Sequence, residues 1–533
     1  LLWAAAAIGT AECVDALRQL AVHSMNHNTP QGATIAVALA ASGKETGLAS
    51  LSLLSNAAKR DTPRRRFERA AAHVARRLGL TPEDAAERFI PSYGLDSSGR
   101  RRVTLGSHIA EMEIRGGKVV IHWSDRTGKR LKKPPVEARK QHAQQLAGLK
   151  ADAKSIEKLI SAQRHRLENL MGVPHSWPFA QFKRWYLDHP IVGDLARRLI
   201  WRLHDCSIFF GPDGGALDID GQAVHVGPND IVEVWHPLGR PTVEVLAWRE
   251  RLQSLMVTQP FKQAHREIYV LTDAERSTAT YSNRFASHII RQHQFAQLAR
   301  GRGWSYSLQG VWDNAGREVA TVVWPTNQIR AELWLIAADV HGHTPNHGIL
   351  LHVATDQVRF YRENETEPLR LEDVPALVFS EIMRDVDLFV GVASVGNDPT
   401  WQDGGPEGRY RTYWQNYSFG DLSATAQTRR SVLESLLPRL TKIRDRCQLS
   451  DRFLIVRGDI HTYKIHLGSG NILMEPNDQY LCIVPSRSPD GPTKDVFLPF
   501  EGDATFSIIL SKAFLLAEDR KIKDPTIARQ IAQ

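Results

Sequence analysis

The spacing of apolar residues changes period along the chain, and this constrains the fold more than any other feature of the sequence. Up to about residue 90 apolar positions recur at helical intervals, as in Val14, Leu17, Leu20 and Ala21, with breaks at Asn28 to Gly32 and Asp61 to Pro63. This predicts a helical, repeat-like lead-in resembling HEAT repeats. From Tyr93 to Lys133 the period falls to two: Val103, Leu105, Ile109, Met112 and Ile114, then Val119, Ile121 and Trp123, with Gly99, Gly116, Gly117 and Gly128 between the runs. That is the pattern of a β-meander.

Helical spacing resumes from Glu137 to about Leu203, gives way to short strands over Cys206 to Trp235, and returns from Leu246 to Arg300. Beyond that, apolar runs at Val322 to Ala337, Gly348 to Phe360, Leu388 to Val395, Phe453 to Ile465, Asn471 to Val484 and Val496 to Leu498 read as strands. Helices are expected at Ala424 to Leu440 and Thr505 to Ala517. Strands thus cluster in meanders instead of alternating singly with helices, which predicts an α+β chain with mixed helix and β-meander domains. At 533 residues several domains are expected. The divisions fall at 1–90 (helical), 91–240 (basic β-meander plus helices), 241–370 (helices and strands) and 371–533 (C-terminal α+β).

Apolar residues at 42% and charged residues at 24% exclude wholesale disorder. No apolar run reaches about 18 residues, so no membrane partner is expected. The chain begins at Leu1, in a segment that reads as a helix already under way, which suggests a piece of a longer protein. The cysteines Cys13, Cys206, Cys447 and Cys482 stand far apart with no C-x-x-C pair. That predicts reduced thiols behaving as small core hydrophobes in a cytoplasmic protein.

Charge is distributed unevenly. Up to Lys150 there are 24 basic and 13 acidic residues, a net of +11, whereas the remainder carries 43 and 46, a net of −3. One run holds Lys59, Arg60, Arg64, Arg65, Arg66, Arg69, Arg76 and Arg77. A second holds Arg126, Lys129, Arg130, Lys132, Lys133, Arg139 and Lys140. Such a one-sided field attracts polyanions, so DNA or RNA is the expected partner, with Arg64, Arg65, Arg66, Lys129, Arg130, Lys132 and Lys133 as contacts.

Four strings bear on chemistry. Asn283 to Gln294 reads as a buried helix, with Arg284, His288 and Arg291 on one stripe and His293 on the apolar side as a core histidine; the stripe suits either carboxylate partners or an anion such as phosphate. Asp339, His341, His343 and His347 would gather metal ligands on a strand, but Gly342 and Pro345 argue for a loop, and no metal site is assigned. Asp385 and Asp387 resemble the paired-carboxylate strand that holds Mg²⁺ in nucleotidyltransferases, without the upstream Gly-Ser turn. In Asp459 to Asn471, alternation puts Lys464 and His466 on one strand face, Asp459 could orient one of them, and the Gly468-Ser469-Gly470 turn could offer N–H groups to an anion. A catalytic site would use Lys464, His466 and Asp459, with Arg284, His288 and Arg291 binding the anion. A hairpin with a tight glycine turn is the plainer reading, and the sequence names no cofactor.

Several strings together resemble a bacterial family of unknown function found downstream of a WGR domain in proteins labelled molybdate metabolism regulator. They are Trp235 to Leu238, Gln259 to Glu267, Asn283 to Gln294, Val378 to Asp385 running to Pro399, and Lys464 to Pro476. The resemblance covers roughly residues 90 to 530. It implies work near nucleic acid and brings no catalytic residues; the chain has no W-G-R string of its own. The expected function is that of a cytoplasmic, nucleic-acid-associated regulatory or accessory factor. The alternatives are an enzyme acting on a phosphate-bearing substrate with a site in the C-terminal half, and a scaffold for protein partners.

Overall fold

The computed structural model describes residues 1–27, 31–42, 45–57, 61–310, 317–338, 348–400, 408–484 and 496–532. The chain is α+β and divides into two compact units, Leu1–Met171 with His175–Trp235, and Gly172–Pro174 with His236–Gln533. Lys59 and Arg60, and the Asp339, His341, His343 and His347 cluster, lie outside the described residues.

The first unit begins with six helices, α1 (Leu2–Ile8), α2 (Ala11–His27), α3 (Gln31–Ser42), α4 (Glu45–Ala57), α5 (Asp61–Arg77) and α6 (Pro82–Arg88). Their apolar stripes meet in one core that includes Leu17, Ile35, Leu39, Leu51, Phe67 and Val74. Thr81 starts α6 through a capping box with Asp84. The expected meander follows as β1 (Arg100–Leu105), β2 (His108–Arg115), β3 (Lys118–Asp125) and β4 (Arg130–Leu131), antiparallel and in sequence order. Gly106, Gly116 and Gly117 turn with positive φ.

Next come α7 (Val136–Lys140), the long α8 (Ala143–Asn169), β5 (Ser176–Pro178), α9 (Phe179–Phe182) and α10 (Val192–Ala196). The strands β6 (Ile200–Leu203), β7 (Cys206–Phe210), β8 (Ala216–Leu217), β9 (Ala223–Val224) and β10 (Ile231–Val234) complete a sheet of order β5-β10-β6-β7-β8-β9. Cys206 departs from expectation. It is exposed, because it follows the two-residue turn at His204 and Asp205 between β6 and β7, while the other three thiols are partly buried and all four are free.

The second unit holds α11 (Thr242–Ser254), α12 (Asp273–Thr278), β11 (Ile289–Arg291), α13 (Gln292–Gly301), β12 (Arg317–Trp324), β13 (Ile329–Ala337) and β14 (His352–Arg362). Its first sheet runs β11-β14-β13-β12, packed against α14 (Ala376–Ala393). This core extends from Tyr269 to Ala393 and so crosses the division expected at residue 370. After α15 (Arg411–Phe419) and α16 (Ala424–Leu436) comes a five-stranded meander of β15 (Cys447–Leu449), β16 (Phe453–Arg457), β17 (Thr462–His466), β18 (Ile472–Met474) and β19 (Gln479–Leu481). It shares a second core with α16, α17 (Ala504–Leu516) and α18 (Pro525–Ile531). No described helix is long and apolar enough to cross a membrane.

Several expected elements take other forms, Val496 to Leu498 being irregular instead of a strand. Asn283 to Gln294 is not one helix: residues 284–287 turn, Ser287 adopts φ 65°, and Ile289–Arg291 join the sheet. Pairing to β14 overrides the helical spacing, with Thr355 accepting from the Ser287 N–H at its carbonyl and from the His288 N–H at its hydroxyl. α13 starts only at Gln292, which leaves His293 exposed instead of in the core. Conversely, the run around Asp385, Asp387 and Leu388 to Val395 is helical, within or just beyond α14. A short apolar run fits a buried helix as well as a strand, and here Pro375 and 18 residues of unbroken helix decide it.

Candidate functional site

Because Asp385 and Asp387 sit on a helix, two residues apart, they diverge by about 200°. They cannot converge on one metal ion. Asp385 accepts from Arg302 Nε at 2.8 Å and Trp304 Nε1 at 3.0 Å. Asp387 accepts instead from the hydroxyls of Tyr269, at 2.7 Å, and Thr425, at 2.5 Å, both on Oδ2. No group of three potential metal ligands occurs among the described residues.

Asp387 lines a cavity of the second unit of about 580 Å³, within the range of small-molecule sites. α14 supplies Asp387 and Gly391, α15 supplies Tyr413 and Tyr417, and the turn before β11 supplies Arg284 and His288. Arg429 of α16 and His466 of β17 complete the wall. Tyr413 and Tyr417, four apart on one helix face, stack at 5.8 Å between centroids, and His288 stands edge-on to both.

The ionisable groups on this wall are mostly committed. Arg284 Nη2 meets Glu275 and the Val270 carbonyl. Arg429 Nε meets Asp503 at 2.9 Å, and its Nη1 reaches the carbonyls of Leu467 and Gly468. His466 bonds the Gly420 carbonyl through Nε2 at 2.9 Å and Ser469 Oγ through Nδ1 at 3.1 Å. Burial holds both His288 and His466 down at about 4, so each is neutral at pH 7. Burial also raises Asp387 above its ordinary value, against the lowering effect of the Thr425 and Tyr269 hydroxyls.

The residues singled out from sequence therefore separate. Arg284, His288 and His466 meet at one cavity, whereas Arg291, Lys464 and Asp459 are not among its lining residues. Arg291 pairs with Asp398, Lys464 with Asp478 at 2.5 Å, and Asp459 with Arg446 at 2.8 Å. Two amides of the Gly468-Ser469-Gly470 turn are taken internally: the Ser469 N–H donates to His466 Nδ1 and the Gly470 N–H to the His466 carbonyl. Tyr269, Tyr413, Tyr417 and Thr425 carry no site assignment from sequence, where Asp387 stands out only through its pairing with Asp385, and the i, i+4 tyrosine pair is the other local signal.

One further polar system underlies α14. The Gln259 to Glu267 string is an irregular buried segment whose charges pair with one another and with α14, Arg384 included, and Asp503. Arg266 bonds Glu381 through Nε at 2.7 Å and also through Nη2; Glu267 takes Lys262 at 2.8 Å and Arg384 at 3.2 Å; Lys262 also reaches Asp503 at 3.0 Å.

The basic residues of the first unit are differently placed. On α5, Phe67, Val74 and Ala75 face the core while Arg65, Arg66, Arg69 and Arg76 are exposed. Arg64 is exposed too and lies 3.8 Å from Glu68. Lys129, Arg130, Lys132 and Lys133 are exposed around β4.

The chain is thus an α+β protein with a small-molecule-sized cavity in one unit and exposed basic segments in the other. Residues 128–304 match a family described as Domain of unknown function (DUF4132), and residues 426–531 match a second, described as Domain of unknown function (DUF7737). The Uncharacterized protein YehI of Escherichia coli (strain K12) is 23% identical over 261 residues, covering 45% of this chain. The match spans only 20% of that relative's length. No solved structure matches the chain. The first family segment contributes Tyr269, Arg284 and His288 to the cavity and the second contributes Arg429 and His466, while Asp387 and Tyr413 lie between the two.

Proposed function

We propose that this chain is a nucleic-acid-associated regulatory or accessory protein that meets DNA or RNA through basic side chains of its first 150 residues. One observation carries the reading. Arg65, Arg66, Arg130, Lys132 and Lys133 are exposed and make no ion pair among the described residues, whereas the cavity guanidiniums of the second unit face carboxylates. An exposed, unpaired cation can neutralise a phosphate and release the counterion condensed on it, so it contributes to polyanion binding. The resemblance to WGR-associated proteins points the same way.

The test is fluorescence anisotropy with labelled single-stranded and duplex oligonucleotides, across about 50 to 200 mM salt. The wild-type chain should bind with a steep salt dependence. Replacing Arg64, Arg65, Arg66, Lys129, Arg130, Lys132 and Lys133 by Gln should flatten it, by about 0.9 in the log–log slope for each duplex phosphate that is no longer neutralised. No binding by the wild-type chain at low salt refutes the reading. Pull-down with and without nuclease then separates direct protein partners, the scaffold alternative, from partners bridged by nucleic acid.

A further inference from the structure

The cavity of the second unit raises a separate question, independent of nucleic-acid binding: which ligand chemistry its wall selects. Asp387 and His288 each bring to that wall a polar atom with no protein partner among the described residues. Both hydrogen bonds to Asp387 fall on Oδ2, which leaves Oδ1 without one among the described residues. Asp387 lines the cavity although the residue is only 2% exposed. His288 bonds Tyr413 Oη through Nδ1 at 3.3 Å, and its Nε2 has no partner among the described residues.

Charge decides between ligand classes. Arg284 and Arg429 each face their own carboxylate, Glu275 and Asp503, and both histidines are neutral at pH 7. Asp421 stands at the rim, fully exposed, with Arg452 at 4.0 Å. Asp387 is a deeply buried carboxylate on the described wall whose hydrogen bonds come from hydroxyl groups alone, and Arg429, itself paired with Asp503, acts on it only through space. A buried carboxylate with no ion-pair partner among the described residues calls for a cation, and ring faces attract cations through their quadrupole. Tyr269 already shows this behaviour, since Arg284 Cζ sits 5.5 Å from its ring centroid.

We propose that this cavity binds a small organic cation, with the ligand's ammonium group on Asp387 Oδ1 and its flat apolar body against Tyr413 and Tyr417. Anion binding, expected from Arg284 and His288 in the sequence, is the competing class. Here those guanidinium and imidazole groups are paired or uncharged.

Calorimetric titration of the full chain with three ligands of one indole body separates these classes. Tryptamine carries the ammonium, tryptophol a neutral hydroxyl and indole-3-acetate a carboxylate. Tryptamine should bind at least tenfold more tightly than the other two. Asp387→Asn, whose amide oxygen can still accept from Tyr269 and Thr425, should weaken tryptamine at least tenfold and leave tryptophol unchanged.

A second variant guards against misfolding. A Cβ built on Gly391 meets no atom within 4 Å, and Gly391 both lines the cavity and lies in α14. Gly391→Leu should fill the cavity and abolish tryptamine binding while the melting temperature holds or rises, because leucine is the better helix former. The proposal fails if tryptamine does not bind the wild-type chain, if indole-3-acetate or tryptophol binds as well, or if Asp387→Asn retains the wild-type affinity. None of these results bears on the oligonucleotide titration.

Discussion

Glu381→Gln is the most demanding test of how the second unit is held together. The Arg266 side chain is fully buried and Glu381 is 4% exposed, so their two-point contact lies where water cannot replace a missing partner. His236 Nε2, at 3.2 Å from Glu381, belongs to the same group. The neutral amide keeps the shape of the carboxylate but removes the countercharge that Glu381 gives a buried guanidinium, a loss of about 3–5 kcal/mol. For a unit of this size about 2 °C per kcal/mol applies, so the melting temperature should fall by about 6–10 °C. Differential scanning calorimetry of the whole chain gives the shift, and urea unfolding followed by circular dichroism gives the free energy. Removing both charges with Arg266→Met and Glu381→Leu should recover most of the loss, because a buried pair offsets little more than its own desolvation. A Glu381→Gln loss under about 1 kcal/mol, or a double variant no better than the single one, would refute the reasoning.

Two further outcomes follow from neighbouring buried groups. Lys262 and Arg384 hold Glu267 at about 2 against burial, Arg429 and Lys262 hold Asp503 at about 2, and Arg266 holds Glu381 well below its ordinary value. Folded values below unfolded ones mean stability that is present in full above about pH 4.5 and is lost as pH falls toward 2, so urea midpoints should drop steeply across that window. A flat profile there contradicts the network. In the first unit, Glu87 accepts from Trp177 Nε1 at 2.6 Å and from the Tyr186 hydroxyl, all three being buried. Glu87→Ala should cost about 2–6 kcal/mol in urea unfolding, from about 1–3 for each orphaned donor, and Glu87→Gln clearly less.

What is legible in the sequence is what local periodicity determines. The helical lead-in and the β1 to β4 meander are visible because Phe67 and Val74, or Ala110 and Met112, mark a buried face within a single element. Residues 283 to 291 depart from their own spacing because their conformation is decided by Thr355 and Val353 on β14, more than 60 residues away. The site is illegible for a related reason. Arg266 finds Glu381 across 115 positions and Arg302 finds Asp385 across 83, and no spacing rule links them. A basic residue in an apolar stretch therefore looks the same whether its partner is a distant carboxylate or a ligand.

The contrast between Asp385 and Asp387 resolves that ambiguity from the acidic side. Both are buried, both are on α14, and burial raises both above the ordinary value. Asp385 lies against Arg302, so its charge is compensated within the protein and has little left to offer a ligand. Asp387 has only neutral hydrogen-bond donors, Tyr269 and Thr425, which orient the carboxylate and favour its charged form; the one guanidinium that also favours it, Arg429, is paired with Asp503. A field from such a group persists into the cavity, where low polarity amplifies it, and it is strongest on the oxygen that no hydroxyl occupies. Had Thr425 been an arginine, the same fold would enclose a neutral pocket. The hydroxyl therefore leaves Asp387 able to discriminate by charge, and Thr425→Val should lower tryptamine affinity by raising Asp387 further, an effect that weakens as the calorimetric buffer is made more alkaline.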